Sequence, residues 1–165
     1  MILICYDGSP DSRAAVEHAV ELFGDQPATV LTVWEPFVEM AARSSLGLGL
    51  VPFTADSDEI DEASAKAAEQ TAAEGAALAG RLGMTVKHTT ASQASTTARA
   101  ILAEADAIGA NAIVMGSRGL TGVKSLLLGS VSHEVVQHAD RAVVVVPSPE
   151  VAASRARAAH EGGGT

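Results

Sequence analysis

Residues 111–133 read NAIVMGSRGLTGVKSLLLGSVSH, a short apolar run that gives way to glycines and then to a second apolar segment of helical character. Ala112, Ile113, Val114 and Met115 make a run of strand length with no polar interruption. Such a run suits a strand buried on both faces of a parallel sheet. Gly116 ends it, and the glycines then follow the spacing G-x2-G-x9-G-S at Gly116, Gly119, Gly129 and Ser130. Glycine permits positive φ and a close backbone approach to a ligand at these three places. Ser130 is expected as the N-cap of a helix that starts at Val131. A glycine-rich turn between strand and helix presents unpaired N–H groups and the positive end of a helix dipole, which favours phosphate. Neither the P-loop nor the dinucleotide fingerprint fits. At Gly122-Val123-Lys124-Ser125 the valine breaks the Gly-Lys pair, and no second glycine stands at the right distance upstream.

Working outward, Ser95 to Thr97 caps a preceding helix with Ala98, Ile101, Leu102, Ala105 and Ile108 on its inner side, stopping at Gly109. On the other flank a helix to about Ala139 leads to a fifth strand, Ala142 to Val146, before Pro147. The tail, 148–165, lacks a strong amphipathic pattern and is expected to be flexible and frayed. At the start of the chain, Ile2 to Tyr6 reads as a buried strand. Asp7-Gly8-Ser9-Pro10 follows as a turn, with Ser9 an N-cap and Pro10 at the first helical position. Ala15, Val16, Ala19, Val20 and Phe23 recur at helical spacing until Gly24, and Ala28 to Trp34 gives the second strand. Glu35 to Ser57 is expected to be a long loop carrying Phe37, Met40, Leu48 and Phe53. It forms either a flap or partner surface, or a loop packed on its own domain. Asp58 to Leu82 reads as a long helix with a solvated acidic face, and Thr85 to Thr90 as the third strand.

Strands alternating with helices imply one α/β domain, a parallel sheet covered on both faces, with ligands at the carboxyl ends of the strands. The 165 residues suffice to bury roughly 70% of the surface of the unfolded chain. A net charge of −9 argues against non-specific nucleic-acid or anionic-membrane binding, so any phosphate must be held by local geometry. Arg118 and Lys124, between the glycines, are candidates to offset its charge. The apolar runs are too short to span a bilayer and no basic leader precedes Ile2, so a cytoplasmic location is expected. Cys5, the single cysteine, reads as a buried core thiol. The five histidines form no helical zinc pair, and no G-x-S-x-G elbow supports an acyl-transfer triad.

The full glycine spacing in its strand–loop–helix setting resembles the nucleotide-binding branch of the universal stress protein (UspA-like) family. The likeness runs from Ile2 to Val146, including the opening Asp7-Gly8-Ser9 and the closing valines, and sets a domain of 1–147. It implies a Rossmann-like five-stranded parallel sheet in the order 3-2-1-4-5. It also implies ATP, with Mg2+, at a site of Asp7, Gly8, Ser9, Val33, Ala91, Met115, Gly116, Ser117, Arg118, Gly119, Gly129, Ser130, Val131 and Ser132. In that pattern Asp7 contacts the nucleoside and Val33 walls the adenine pocket, while the glycines and Ser130 hold ribose and phosphates. Asp7 and Ser130 also read as simple turn and cap residues. Where many relatives carry Gly-Pro, this chain has Ala91-Ser92-Gln93, expected to narrow the base pocket. The implied role is a nucleotide-dependent regulatory module in the stress response, with at most weak ATP hydrolysis, a homodimer through the fifth strand (142–146) and a regulatory protein partner. The alternatives are a dimeric interaction module of the same fold that uses no nucleotide, or a slow ATPase.

Overall fold

The computed structural model describes residues 1–45, 57–93, 95–119 and 128–161. Five strands, β1 (Ile2–Cys5), β2 (Ala28–Trp34), β3 (Val86–Ser92), β4 (Ala112–Gly116) and β5 (Ala142–Val146), form one sheet in the order β3-β2-β1-β4-β5. Every pairing is parallel, with Ile4 opposite Val30 on one side and Val114 on the other. This is the order and the fold class expected.

The helices are α1 (Pro10–Phe23), α2 (Phe37–Ser45), α3 (Ser57–Arg81), α4 (Thr97–Ala107), α5 (Ser130–His138) and α6 (Pro149–Glu161). Alternation along the strands divides the core in two. Ile2, Ile4, Val30 and Val114 pack with Ala15, Val16 and Ala19 of α1 and Ala79 of α3. Leu3, Leu31, Ile113 and Met115 face the other way, onto Ala98, Ile101 and Ala105 of α4 and Val135 of α5. Alanines at the contacts let the helix backbones lie close to the sheet. Arg141 ties the second layer to the sheet by donating to the carbonyls of Ala105 and Ala110 (2.9 and 3.0 Å), and it also pairs with Asp106 and Asp140.

Several boundaries differ from the sequence reading. β1 ends at Cys5, although the Tyr6 amide still donates to the Leu31 carbonyl (2.9 Å). β3 continues to Ser92 because the longer β2 offers partners as far as Trp34. The supposed loop after β2 begins as α2, whose first amide, that of Phe37, donates to Asp61 Oδ1 of α3 at 2.6 Å. That cap comes from a residue 24 positions away, so no local pattern announces it. Residues 46–56, including Leu48 and Phe53, lie outside the described residues. The segment read as a frayed tail is helical as α6, consistent with the high helix propensity of its Ala, Arg and Glu residues and with Pro149 at its first position.

Candidate functional site

β1 and β4 are neighbours, and the chain leaves β1 toward β2 on one side while β4 leads to β5 on the other. Their carboxyl ends therefore open a crevice at the switch in strand order, where ligands bind in doubly wound sheets. The turn from β1 into α1 is held rigidly. Gly8 has φ 79°, the left-handed region that glycine occupies without strain. Asp7 Oδ1 accepts the Ser9 amide (3.0 Å), and Ser9 caps α1 by accepting the Ser12 amide (3.1 Å), as expected of it.

Ser117, fully buried, is the clamp of the glycine loop. Its amide donates to the Val146 carbonyl (2.8 Å), and its own carbonyl accepts both the Gly129 amide (2.7 Å) and Ser132 Oγ (3.0 Å). The start of the loop is thus tied to its end and to β5. Ser117 Oγ donates to Asp11 Oδ2 (2.7 Å), joining the clamp to the first turn of α1.

The loop glycines serve close approach rather than the positive φ anticipated for them. Among the described residues, only Gly8, Gly83 and Gly109 have positive φ. A Cβ on Gly116 would lie 2.8 Å from the Asp11 carbonyl carbon and 2.9 Å from the Ser12 nitrogen. One on Gly119 would lie 2.8 Å from Asp7 Oδ2, and one on Gly129 would lie 3.2 Å from the Ser117 carbonyl oxygen. Ser130 is not the cap of α5 but its first residue: Gly129 occupies the cap with φ −71° and ψ 161° and offers no side chain. The first-turn amides of Ser130, Val131 and Ser132 have no partner within the helix. They stand at its positive end.

These elements enclose a cavity of about 300 Å3. Leu31, Val33, Ile101, Met115 and Val131 form apolar walls, while Asp7, Gly119, Gly129, Ser130, Ser132 and Arg118 line its polar part. Gly116 also borders it, whereas Gly8, Ser9 and Ser117 stand behind the wall as supports. Ala91, expected to narrow the pocket, is paired with Val33 in the sheet and lies outside the lining. Six lining residues escaped the sequence reading: Cys5, Tyr6, Ser12, Leu31, Thr97 and Ile101. Leu31 shares a strand face with Val33 by alternation, and Thr97 and Ile101 share a helix face at i, i+4, so those three had a periodic signal. Cys5 is part-buried, packed against the second core layer and also lining the cavity, and burial, followed by the charge of Asp7, pushes its thiol up to about 12.

Arg118 is the only cation among the described residues that lines the cavity. Its Nε is buried without a hydrogen-bond partner and lies 3.7 Å from Asp11 Oδ2, within ion-pair reach but beyond a hydrogen bond. Lys124 lies outside the described residues. An apolar slot leading to a glycine-lined helix N-terminus with an unspent guanidinium nitrogen suits a ligand with a flat apolar part and an anionic part.

A doubly wound α/β domain with its crevice at the strand switch defines the class of molecule. The universal stress protein family profile matches residues 1–147, and the chain belongs to that family. It is 34% identical over 149 residues to universal stress protein YxiE of Bacillus subtilis, covering 88% of this chain and 97% of the relative. It is 30% identical over 153 residues to universal stress protein MJ0531 of Methanocaldococcus jannaschii, covering 90% and 82%. Among solved structures it resembles a universal stress protein from Archaeoglobus fulgidus in complex with dAMP (TM-score 0.60, 18% identity, 88% and 95% covered). It also resembles a universal stress protein in complex with cAMP (TM-score 0.59, 21% identity, 89% and 95% covered). At those identities the likeness establishes the fold.

Proposed function

We propose that this chain binds an adenine nucleotide, ATP with Mg2+, in the crevice between β1 and β4 and acts as a nucleotide-dependent regulatory module. The observation that carries the reading is the continuity of the cavity, from the apolar walls of Leu31, Val33, Ile101 and Met115 to the Gly129-Ser130 helix start and Arg118. The base occupies the apolar end, Asp7 receives the ribose hydroxyls, and the first-turn amides of α5 with Arg118 receive phosphate oxygens. Relatives of the same fold hold dAMP and cAMP, which supports an adenine nucleotide as the ligand class. Binding rather than turnover is the function, and a regulatory protein partner reads the nucleotide state. Two chains pair through β5 to give the working homodimer, in the cytoplasm.

ATP with Mg2+ at about a hundred times its dissociation constant is expected to stabilise the folded chain by ~2.7 kcal/mol. Gly119→Glu abolishes this gain, because its side chain meets Asp7 Oδ2 with both bulk and like charge. Thermal unfolding of both proteins with and without ATP is the test. An unchanged ATP-dependent shift in Gly119→Glu overturns the site, and absence of any shift in the wild type favours the interaction module that uses no nucleotide.

A further inference from the structure

Asp11 is a buried acid behind the wall of a site that is read as holding phosphates, within reach of the Arg118 that lines it, in a chain already strongly acidic. Its side chain is 7% exposed, and one oxygen, Oδ2, serves two groups. Ser117 Oγ donates to it at 2.7 Å, while Arg118 Nε stands 3.7 Å away and makes no hydrogen bond. The hydroxyl takes the short contact, and the guanidinium Nε is held there by charge alone. Arg118 is itself only 16% exposed, so the attraction operates in poorly solvated surroundings where screening is weak. The pair is electrically neutral as seen from the cavity. A phosphate approaching Arg118 competes with a carboxylate already in place.

We propose that Asp11 is a specificity-determining residue that acts through Arg118 and holds down the contribution of phosphate charge to ligand affinity. The inference rests on the nucleotide reading of the site. In this arrangement the chain discriminates poorly among ligands that differ in phosphate number, and binding depends mainly on the base, the ribose and the α5 amides. Arg118 cannot act as a full cation toward phosphate while Asp11 faces it. The backbone of Asp11 packs against Gly116, and its buried carboxylate is held toward Arg118 by the Ser117 hydroxyl.

The test is calorimetric titration of ATP, AMP and adenosine into wild type, Asp11→Asn, Arg118→Gln and the double variant, with salt held constant. Asp11→Asn keeps the size of the side chain and a hydrogen-bond partner for Ser117 Oγ. It is expected to bind ATP about three- to tenfold tighter, AMP by a smaller factor, and adenosine unchanged. Arg118→Gln, which leaves the carboxylate without its counter-charge behind the phosphate end, is expected to weaken ATP by about tenfold or more relative to adenosine. The double variant loses the gain seen in Asp11→Asn. Independently of nucleotide, ligand-free Asp11→Asn should melt below the wild type, because a largely buried guanidinium has lost its counter-charge. If wild type binds ATP but Asp11→Asn leaves the ATP-to-adenosine ratio unchanged or lowers it, this inference fails while the nucleotide reading stands. It fails equally if the gain survives in the double variant. Should Asp11→Asn fail to fold, the same titration of Asp11→Ser decides it: a raised ATP-to-adenosine ratio supports the inference, and an unchanged or lower one overturns it. A wild type that binds no nucleotide overturns both.

Discussion

Cys5 and Tyr6 stand side by side at the end of β1, and burial is the first cause that pushes each of their acidic groups up to about 12. For Cys5 the charge of Asp7 adds to it, and for Tyr6 the hydrogen bond to Glu74 (2.9 Å) does. The direction sets a pH dependence. An unfolded thiol ionises near 9 and an unfolded phenol near 10, whereas the folded groups keep their protons up to about 12. Over that interval the unfolded chain binds fewer protons than the folded one, so stability falls as pH rises. The urea midpoint is expected to hold up to about pH 9 and then decline, and Cys5→Ser removes the earlier part of the decline. A wild-type midpoint unchanged between pH 9 and 11 would refute the burial argument. By the same argument, alkylation of native Cys5 at pH 8.5 should lag far behind alkylation in denaturant, since only the thiolate reacts.

At the scale of elements, two glycines within α3 make opposite predictions. Gly75 sits in the helix interior, where glycine costs roughly 1 kcal/mol relative to alanine, and Gly80 in the last turn. A Cβ on Gly80 meets nothing within 4 Å, so Gly80→Ala should stabilise the protein by about 0.5–1 kcal/mol. A Cβ on Gly75 would lie 2.7 Å from Tyr6 Cγ and 3.0 Å from Val30 Cγ1. Tyr6 is almost fully buried and its hydroxyl is tied to Glu74 of the same helix, so it cannot easily give way, and Gly75→Ala should destabilise by about 1–3 kcal/mol despite its better helix propensity. Urea denaturation of both variants checks the pair, and the same sign for both would contradict the packing of α3 on the sheet. The two glycines look alike in sequence. The difference arises from a neighbour about seventy positions away.

For the whole molecule, the sheet has two edges that are finished differently. β3 carries Lys87 and His88 exposed on its outer edge, and charge of this kind discourages pairing with another chain. β5 is Ala142 followed by four valines, with no charge, no glycine and Pro147 only after its end. Pairing with the same strand of a second copy covers that edge, and a twofold axis makes the contact self-limiting. The proposed homodimer predicts that Val144→Pro, which removes an amide donor and adds a ring at the interface, shifts the chain toward monomer. Glu69→Ala, on exposed α3, should leave assembly unchanged. Sedimentation across a dilution series decides it, and a folded Val144→Pro protein that stays fully dimeric would exclude this interface.

Strand and helix type were legible along most of the chain, because the unbroken apolar run through Ile113, Val114 and Met115 marks a strand buried on both faces and Ala15, Val16 and Ala19 recur at helical spacing. The strand order came from the family likeness, since parallel pairing leaves no local mark of which strands are neighbours. The glycine spacing located the loop, but not why the glycines are needed. That depends on Asp7, Asp11 and Ser117 pressing against them from other elements. α2 escaped the sequence because its cap is Asp61, and Asp11 escaped the site because it meets Ser117 only across a separation of 106 residues. Local propensity and hydrophobic period act over a few residues and fix the elements. The contacts that close the loop and set the charge facing the cavity join residues far apart in the chain, and only the assembled sheet brings them within reach.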